Sequence, residues 1–299
     1  PILKTLSFVE VSDADLDNDT YESAEKQYLQ NNAKQAISGF SSYVSKFPNG
    51  LHALKANFYL AQLYFADNLE NNAIKHYEFV ISKARNEFTE QALARLCQVH
   101  LKAKNYDSAI PVLKRLEAEA EFPQNTTYAQ SNLMKSYYEK EDFANAVVYA
   151  DKVLKNDKIE DRIKSDAQII VARSAIKTND EAKAKEAYDK LNKIAKGELK
   201  AEALYYDAYF KNKEGKYEPS NAVAQKLAQD YSGYKYFSAK GLVLMAKNNY
   251  ALNDSFQATY ILESVIKNFE EFTDVVEEAQ KELDAIKAEE SKRNSSIQN

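Results

Sequence analysis

The stretch NYDSAIPVLKRL, residues 105–116, decides the fold. Its Ala109 sits in a setting that recurs on both sides: NNAIKHYEFV puts Ala73 there and FANAVVYADKVL puts Ala146 there. Ala36, Ala184 and Ala258 extend the series, and Ser220 fills the remaining place. Successive gaps are 37, 36, 37, 38, 36 and 38 residues, which makes seven units. Four residues after the anchors stand Phe40, Tyr77, Leu113, Ala150, Tyr188, Ala224 and Leu262. Three further on stand Tyr43, Val80, Leu116, Val153, Leu191, Leu227 and Val265. Offsets of zero, four and seven form one stripe of an α-helix. A small residue on that stripe predicts a second helix crossing close by.

The second helix is legible too. Twelve residues before the anchors lie Ala61, Cys97, Met134, Ala172, Ala208 and Ala246, with apolar residues around them at helical spacing, as in NFYLAQLYF and IIVARSAI. Each unit therefore reads as two amphipathic helices. The turns between them are polar: NNAK, DNLENN, KAKN, EKED, TNDE, KEGK and LNDS. Asn and Asp suit helix N-caps and tolerate left-handed backbone. Gly215 is the residue expected where φ is positive. Phe47-Pro48, Phe122-Pro123, Tyr231-Ser232 and Phe269-Glu270 mark the exits of the second helices, because proline has no N–H to donate. Pro111 lies two residues past an anchor, so it sits in the first turn or so, or kinks the helix.

These features resemble the tetratricopeptide repeat (TPR) family. The small residue in the first helix, the anchor alanine and the aromatic four later match it. So do Tyr64, Tyr106, Tyr137, Tyr217 and Phe143 near the turns. The stretches FPNG, ALYYDAYFKNKEGKYEPS and LMAKNNYALNDSFQATYILESVIKNF are similar to TPR proteins of the bacterial cell envelope, notably of the Bacteroides group. The resemblance implies an all-α fold, an α-solenoid of about seven helix pairs, with first helices on the concave face. Residues 20–270 hold the repeats and 271–299 a capping helix and mobile polar tail. Residues 1–19 are a lead-in segment or the remnant of an upstream unit. The cap's apolar stripe is Val276, Ala279, Leu283 and Ile286. The resemblance also implies a periplasmic or outer-membrane-associated place, with the cytoplasm as the alternative.

Composition agrees. Six Gly and five Pro among 299 residues are far below the average of about 7% and 5%, which favours helices over tightly turned strands. The net charge of −5 argues against a nucleic-acid partner, which usually needs a basic surface. A single cysteine excludes an intrachain disulfide. No apolar run reaches the 18 residues of a membrane-spanning helix. The chain begins at Pro1, as a processed or trimmed fragment would.

Catalytic chemistry finds little purchase. His52, His76 and His100 lie 24 residues apart, not four apart as ligands on one helix would. Cys97 occupies a small-residue packing place, and His100 alone does not make it a nucleophile. No glycine-rich phosphate loop exists. No cofactor or metal is expected, and the chain reads as non-enzymatic.

The 21 tyrosines are the compositional anomaly. Eleven residues before the anchors, facing the groove, stand Gln62, Gln98, Lys135, Arg173, Tyr209 and Lys247, none of them acidic. Around them lie Phe58, Tyr59, Phe65, Arg95, Asn132, Tyr138, Tyr205 and Tyr250. Amides bond a peptide backbone, rings accept side chains, and Lys or Arg pairs with carboxylates. This strip reads as a groove for a protein or peptide partner, acidic ones included; packing between first helices plus solvated lysines is the competing reading. On the groove reading, exchanging Lys135 and Arg173 for Glu weakens an acidic partner and leaves helicity unchanged. Function is therefore expected to be a binding scaffold in an envelope complex. The alternative is an accessory module of a larger enzyme or secretion assembly.

Overall fold

The computed structural model describes residues 12–297, so the lead-in reading of residues 1–11 and the last two tail residues lie outside the described residues. The described residues form fifteen α-helices and no strand. The first helices of the repeats are α1 (Asp13–Leu29), α3 (Ala53–Ala66), α5 (Thr89–Lys102), α7 (Pro123–Glu139), α9 (Asp161–Lys177), α11 (Gly197–Lys213) and α13 (Lys235–Ala251). The second helices are α2 (Ala33–Lys46), α4 (Glu70–Ser82), α6 (Tyr106–Glu119), α8 (Phe143–Leu154), α10 (Glu181–Ile194), α12 (Tyr217–Asp230) and α14 (Ser255–Asn268). Helix α15 (Thr273–Ile297) closes the series.

Two compact units divide the chain, residues 1–140 and 141–299. In the first, α1 to α7 pack each on the next; in the second, α8 to α15 do the same. In the second unit the first helices α11 and α13 also touch one another, and α13 touches the closing helix α15. Sequential stacking of this kind is the α-solenoid arrangement, in which stability is roughly a sum over neighbours.

All seven anchors, Ala36, Ala73, Ala109, Ala146, Ala184, Ser220 and Ala258, are fully buried. The preceding series is buried as well, and Ala24 joins it as a seventh member. The close crossing is seen directly at Gly39 of α2, where a Cβ would lie 2.7 Å from the Ala24 Cβ of α1. Around these contacts Phe40, Tyr43, Tyr77, Leu113, Leu116, Tyr188 and Leu191 are excluded from water. A fully buried Leu or Phe contributes about 1.5–3 kcal/mol relative to exposure.

The turns obey one rule. Asn31, Asn68, Lys104, Glu141, Asn179, Gly215 and Asn253 have positive φ, each five residues before an anchor. In the turn after α3, Asn68 donates its N–H to Phe65 O at 3.2 Å and Leu69 donates to Tyr64 O at 2.8 Å. This doubly bonded left-handed exit satisfies carbonyls that the helix end leaves orphaned. The next residue then serves as N-cap of the second helix. Asn105, Asp142, Asp180 and Asp254 each accept from the N–H three residues on. One residue thus ends one helix motif and begins the next, which keeps the turns short.

Three sequence expectations are corrected. Phe122-Pro123 does not end α6, which stops at Glu119; Phe122 is the N-cap of α7 and Pro123 its first residue. Proline is at home there because that N–H needs no helical partner. Val275, not Val276, is the buried valine of α15, followed by Ala279, Leu283 and Ile286. The division drawn between residues 19 and 20 falls inside α1, and Ser295–Ile297 of the tail are helical. Pro111 lies in the second turn of an uninterrupted α6, with its ring exposed.

Candidate protein-binding surface

The first helices carry the candidate groove residues, and the structure occupies most of them. On α3, Phe58 is 3% exposed and its ring stacks on Phe88 at 4.4 Å. Tyr59 stacks on Tyr28 of α1 at 4.4 Å, and Gln62 accepts the Tyr28 hydroxyl at 3.0 Å. Phe65 lies under the Arg95 guanidinium of α5, 5.2 Å away, and Arg95 donates to Gln98 Oε1 at 2.9 Å. On α7, Asn132 donates to the Tyr128 carbonyl at 2.8 Å, and Lys135 and Tyr138 are half-buried. On α11, Tyr205 is buried and Tyr209 half-buried, within an aromatic cluster that includes Tyr206, Phe210 and Phe237. Phe58 and Tyr205 are therefore packing residues, because each ring is covered by a neighbouring aromatic.

The cations are also engaged. Arg173 of α9 grips Glu202 of α11 with two bonds, Nε to Oε1 at 2.9 Å and Nη2 to Oε2 at 2.6 Å. Glu202 is 3% exposed and takes a third bond from the Tyr188 hydroxyl at 2.9 Å. Burial, and then the Glu202 charge, push the Tyr188 phenol far above its ordinary pKa, so it remains a donor. Lys247 of α13 binds Glu278 at 2.6 Å and Glu282 at 3.2 Å, both on α15. Burial works against the Lys247 charge, but those carboxylates outweigh it and raise its pKa. Tyr250 donates to Glu289 at 2.6 Å. In the first repeat the position equivalent to these cations is Glu25, paired with Lys55 at 2.9 Å. The strip is thus not free of acids, as the sequence suggested. Its missing members come from distant helices whose register the repeat alone does not reveal.

An open concavity lies on the first helices of the first unit. It measures ≈ 490 Å³ and lies between α5 and the start of α7. Gln91, Arg95 and Gln98 line one side, Asn125 and the 55%-exposed Phe122 the other. Glu90 builds its rim. Its carboxylate accepts the N–H groups of Glu121 and Phe122 at 3.0 and 3.2 Å and the Asn125 amide at 2.7 Å. Burial pulls against ionisation, but these donors win and lower the Glu90 pKa. Asp17 plays the matching part in the first repeat, accepting the Leu51 N–H at 3.0 Å and the Tyr43 hydroxyl at 2.5 Å. Neither acid was singled out in the sequence, although both stand nineteen residues before an anchor.

The candidate catalytic groups are packed. Cys97 is fully buried and its thiol is pushed up to about 12, which leaves no thiolate nucleophile. His52 stacks on Tyr21 at 4.2 Å, and His76 and His100 are buried. Among the described residues no group of three His, Cys, Asp or Glu side chains is placed to hold a metal ion, and no helix is long and apolar enough to cross a membrane.

Two family patterns match the chain, a tetratricopeptide repeat-like domain over residues 9–129 and a tetratricopeptide repeat over residues 82–196. The chain belongs to the tetratricopeptide repeat family. Among solved structures it is similar to the C-terminal part of a TPR repeat-containing protein from Cytophaga hutchinsonii, at 13% identity and a TM-score of 0.57, covering 86% of this chain and 98% of that one. A structure of Naa15/Naa10 bound to HypK-THB matches at 15% identity and TM-score 0.50; 94% of this TPR chain and 42% of that chain are covered. A tetratricopeptide repeat protein from Parabacteroides merdae matches at 14% identity and TM-score 0.44, covering 88% and 98%. No curated protein sequence matches. At these identities the solved structures speak to the fold alone.

Proposed function

We propose that this TPR chain is a non-enzymatic scaffold that takes up a segment of a partner protein in the cleft between α5 and α7. The carrying observation is the composition of that cleft. Gln91, Gln98 and Asn125 offer amides to a peptide backbone, and Phe122 offers an exposed ring to a side chain. The family supports protein binding in general. Binding on a preformed helical surface limits the entropy lost on association. The pairing of Arg173 and Lys247 within the chain removes the main reason to expect an acidic partner. Panning a random peptide library against the protein, with a Gln98→Ala/Phe122→Ala variant as counter-selection, tests the site. Peptides lost by about ten-fold on the variant support it; enriched peptides that bind both proteins equally reject it. Envelope placement rests on the Asn-, Lys- and Tyr-rich stretches, and fractionation of the source organism with an antibody to this chain tests it.

A further inference from the structure

A second furrow of ≈ 460 Å³ opens between the second helices α2 and α4 of the first unit. Val44 and Pro48 stand on one side and Phe79 on the other, with Tyr64 and Asn57 of α3 beneath. Buried His76 completes it. Asn57 is 5% and His76 9% exposed, and they bond to each other at 2.7 Å.

This polar pair is out of keeping with the repeat. Equivalent positions carry Leu93 and Val112, Leu204 and Val223, and Leu242 and Ile261 in three repeats, and Thr20 and Gly39, Gln130 and Tyr149, and Gln168 and Ala187 in the other three. A half-buried polar residue thus recurs at the first position, but only this repeat buries a polar residue at both. Burying amide and imidazole where aliphatic groups serve costs desolvation free energy. The buried histidine opposite the amide is what the repeat's packing does not call for.

The hydrogen bonds fix the chemistry that the pair presents. Asn57 Nδ2 donates to the Ala53 carbonyl at 2.7 Å, so Oδ1 must be the acceptor facing His76. Nδ1 of His76 then carries the proton. Burial, and next the nearby Lys75 ammonium, lower its pKa to about 4, so the ring is neutral. Nε2 is left as a lone-pair acceptor with no hydrogen-bond partner among the described residues, on a ring that lines the furrow. Tyr64 stacks on that ring at 5.6 Å. Lys75 stands exposed at the rim, with no ion-pair partner among the described residues.

We propose that this furrow is a docking pocket for a tyrosine side chain, flanked by an acidic residue, on a partner protein. The ring lies between Tyr64 and Phe79, the phenol O–H donates to His76 Nε2, and the neighbouring carboxylate meets Lys75. A ring with a hydroxyl tip suits aromatic walls and the unpartnered acceptor between them, since buried Tyr hydroxyls seek a partner.

The test uses two blocked dipeptides, acetyl-Glu-Tyr-amide and acetyl-Glu-Phe-amide, against the whole chain with nitrogen-15 histidine. The tyrosine probe is expected to move the His76 Nε2 resonance saturably and to bind about ten-fold more tightly than the phenylalanine probe. An Asn57→Leu/His76→Val variant copies the pair used by the neighbouring repeat, so it is expected to fold and to lose the preference for tyrosine. Equal binding of the two probes, an unmoved His76 resonance at saturating probe, or undiminished tyrosine preference in the folded double variant overturns the proposal.

Discussion

Arg173→Met is the most informative single change in the second unit. The side chain keeps its length and apolar stem but loses both bonds to Glu202. Glu202 is left 3% exposed with the Tyr188 hydroxyl as its remaining donor from the described trio. Removing one partner of a buried ion pair costs about 3–5 kcal/mol, because the other charge stays desolvated. The Arg173 side chain is 42% exposed, so solvent enters from its side and the lower end, about 3 kcal/mol, is expected. At about 2–4 °C per kcal/mol for a chain of this size, thermal unfolding followed by circular dichroism should shift down by about 6–12 °C. Hydrogen exchange should locate the loosening at α9, α10 and α11. Arg173→Glu should lose more, since it faces Glu202 with a second carboxylate, so it does not isolate partner binding from folding. A triple variant, Arg173→Met/Tyr188→Phe/Glu202→Leu, removes all the buried polar groups together and should recover most of the loss. A shift under about 3 °C for Arg173→Met, or a triple variant no more stable than the single one, would refute the reasoning.

Four further changes probe the rules of the fold. Glu90→Gln should cost about 1 kcal/mol at pH 7, since the lost charge faces two backbone N–H groups from a half-exposed site. Its folded pKa lies below the unfolded value of about 4.3, so this stabilisation is complete above that pH and fades as pH falls through the folded value. Urea titrations of both proteins should accordingly converge in acid. Lys104→Gly, at φ +53° on an exposed turn, should gain up to about 1 kcal/mol, whereas Gly215→Ala, at φ +73°, should lose about 1 kcal/mol. Gly39→Ala places a Cβ 2.7 Å from the Ala24 Cβ and 3.1 Å from its Cα, and the expected strain of about 1–3 kcal/mol exceeds the gain in helix propensity of about 1 kcal/mol. Adding Ala24→Gly removes the closer, Cβ–Cβ contact and should recover part of the loss, and denaturation midpoints of the single and double variants decide it.

What the sequence could disclose was set by what repeats. An alanine where two helices cross has few substitutes, so Ala73, Ala109 and Ala146 recur at a near-constant interval, and all are buried. The left-handed turn residue tolerates more types, Lys104 and Glu141 among them, yet its place five residues before the anchor is invariant. Side chains that bond across repeats keep no fixed spacing to their partners. Arg173 meets Glu202 29 residues on, while Glu90 meets Phe122 32 residues on. Each pair answers to the local approach of two helices rather than to the period. That is why Arg173 and Lys247 read as available cations when aligned with their repeat equivalents, and why their partners escaped notice. The same logic gives the Asn57–His76 pair its weight. A departure from the repeat that is buried, costly and bonded so as to leave one acceptor unused is the kind of position where the requirements of packing and of recognition part company.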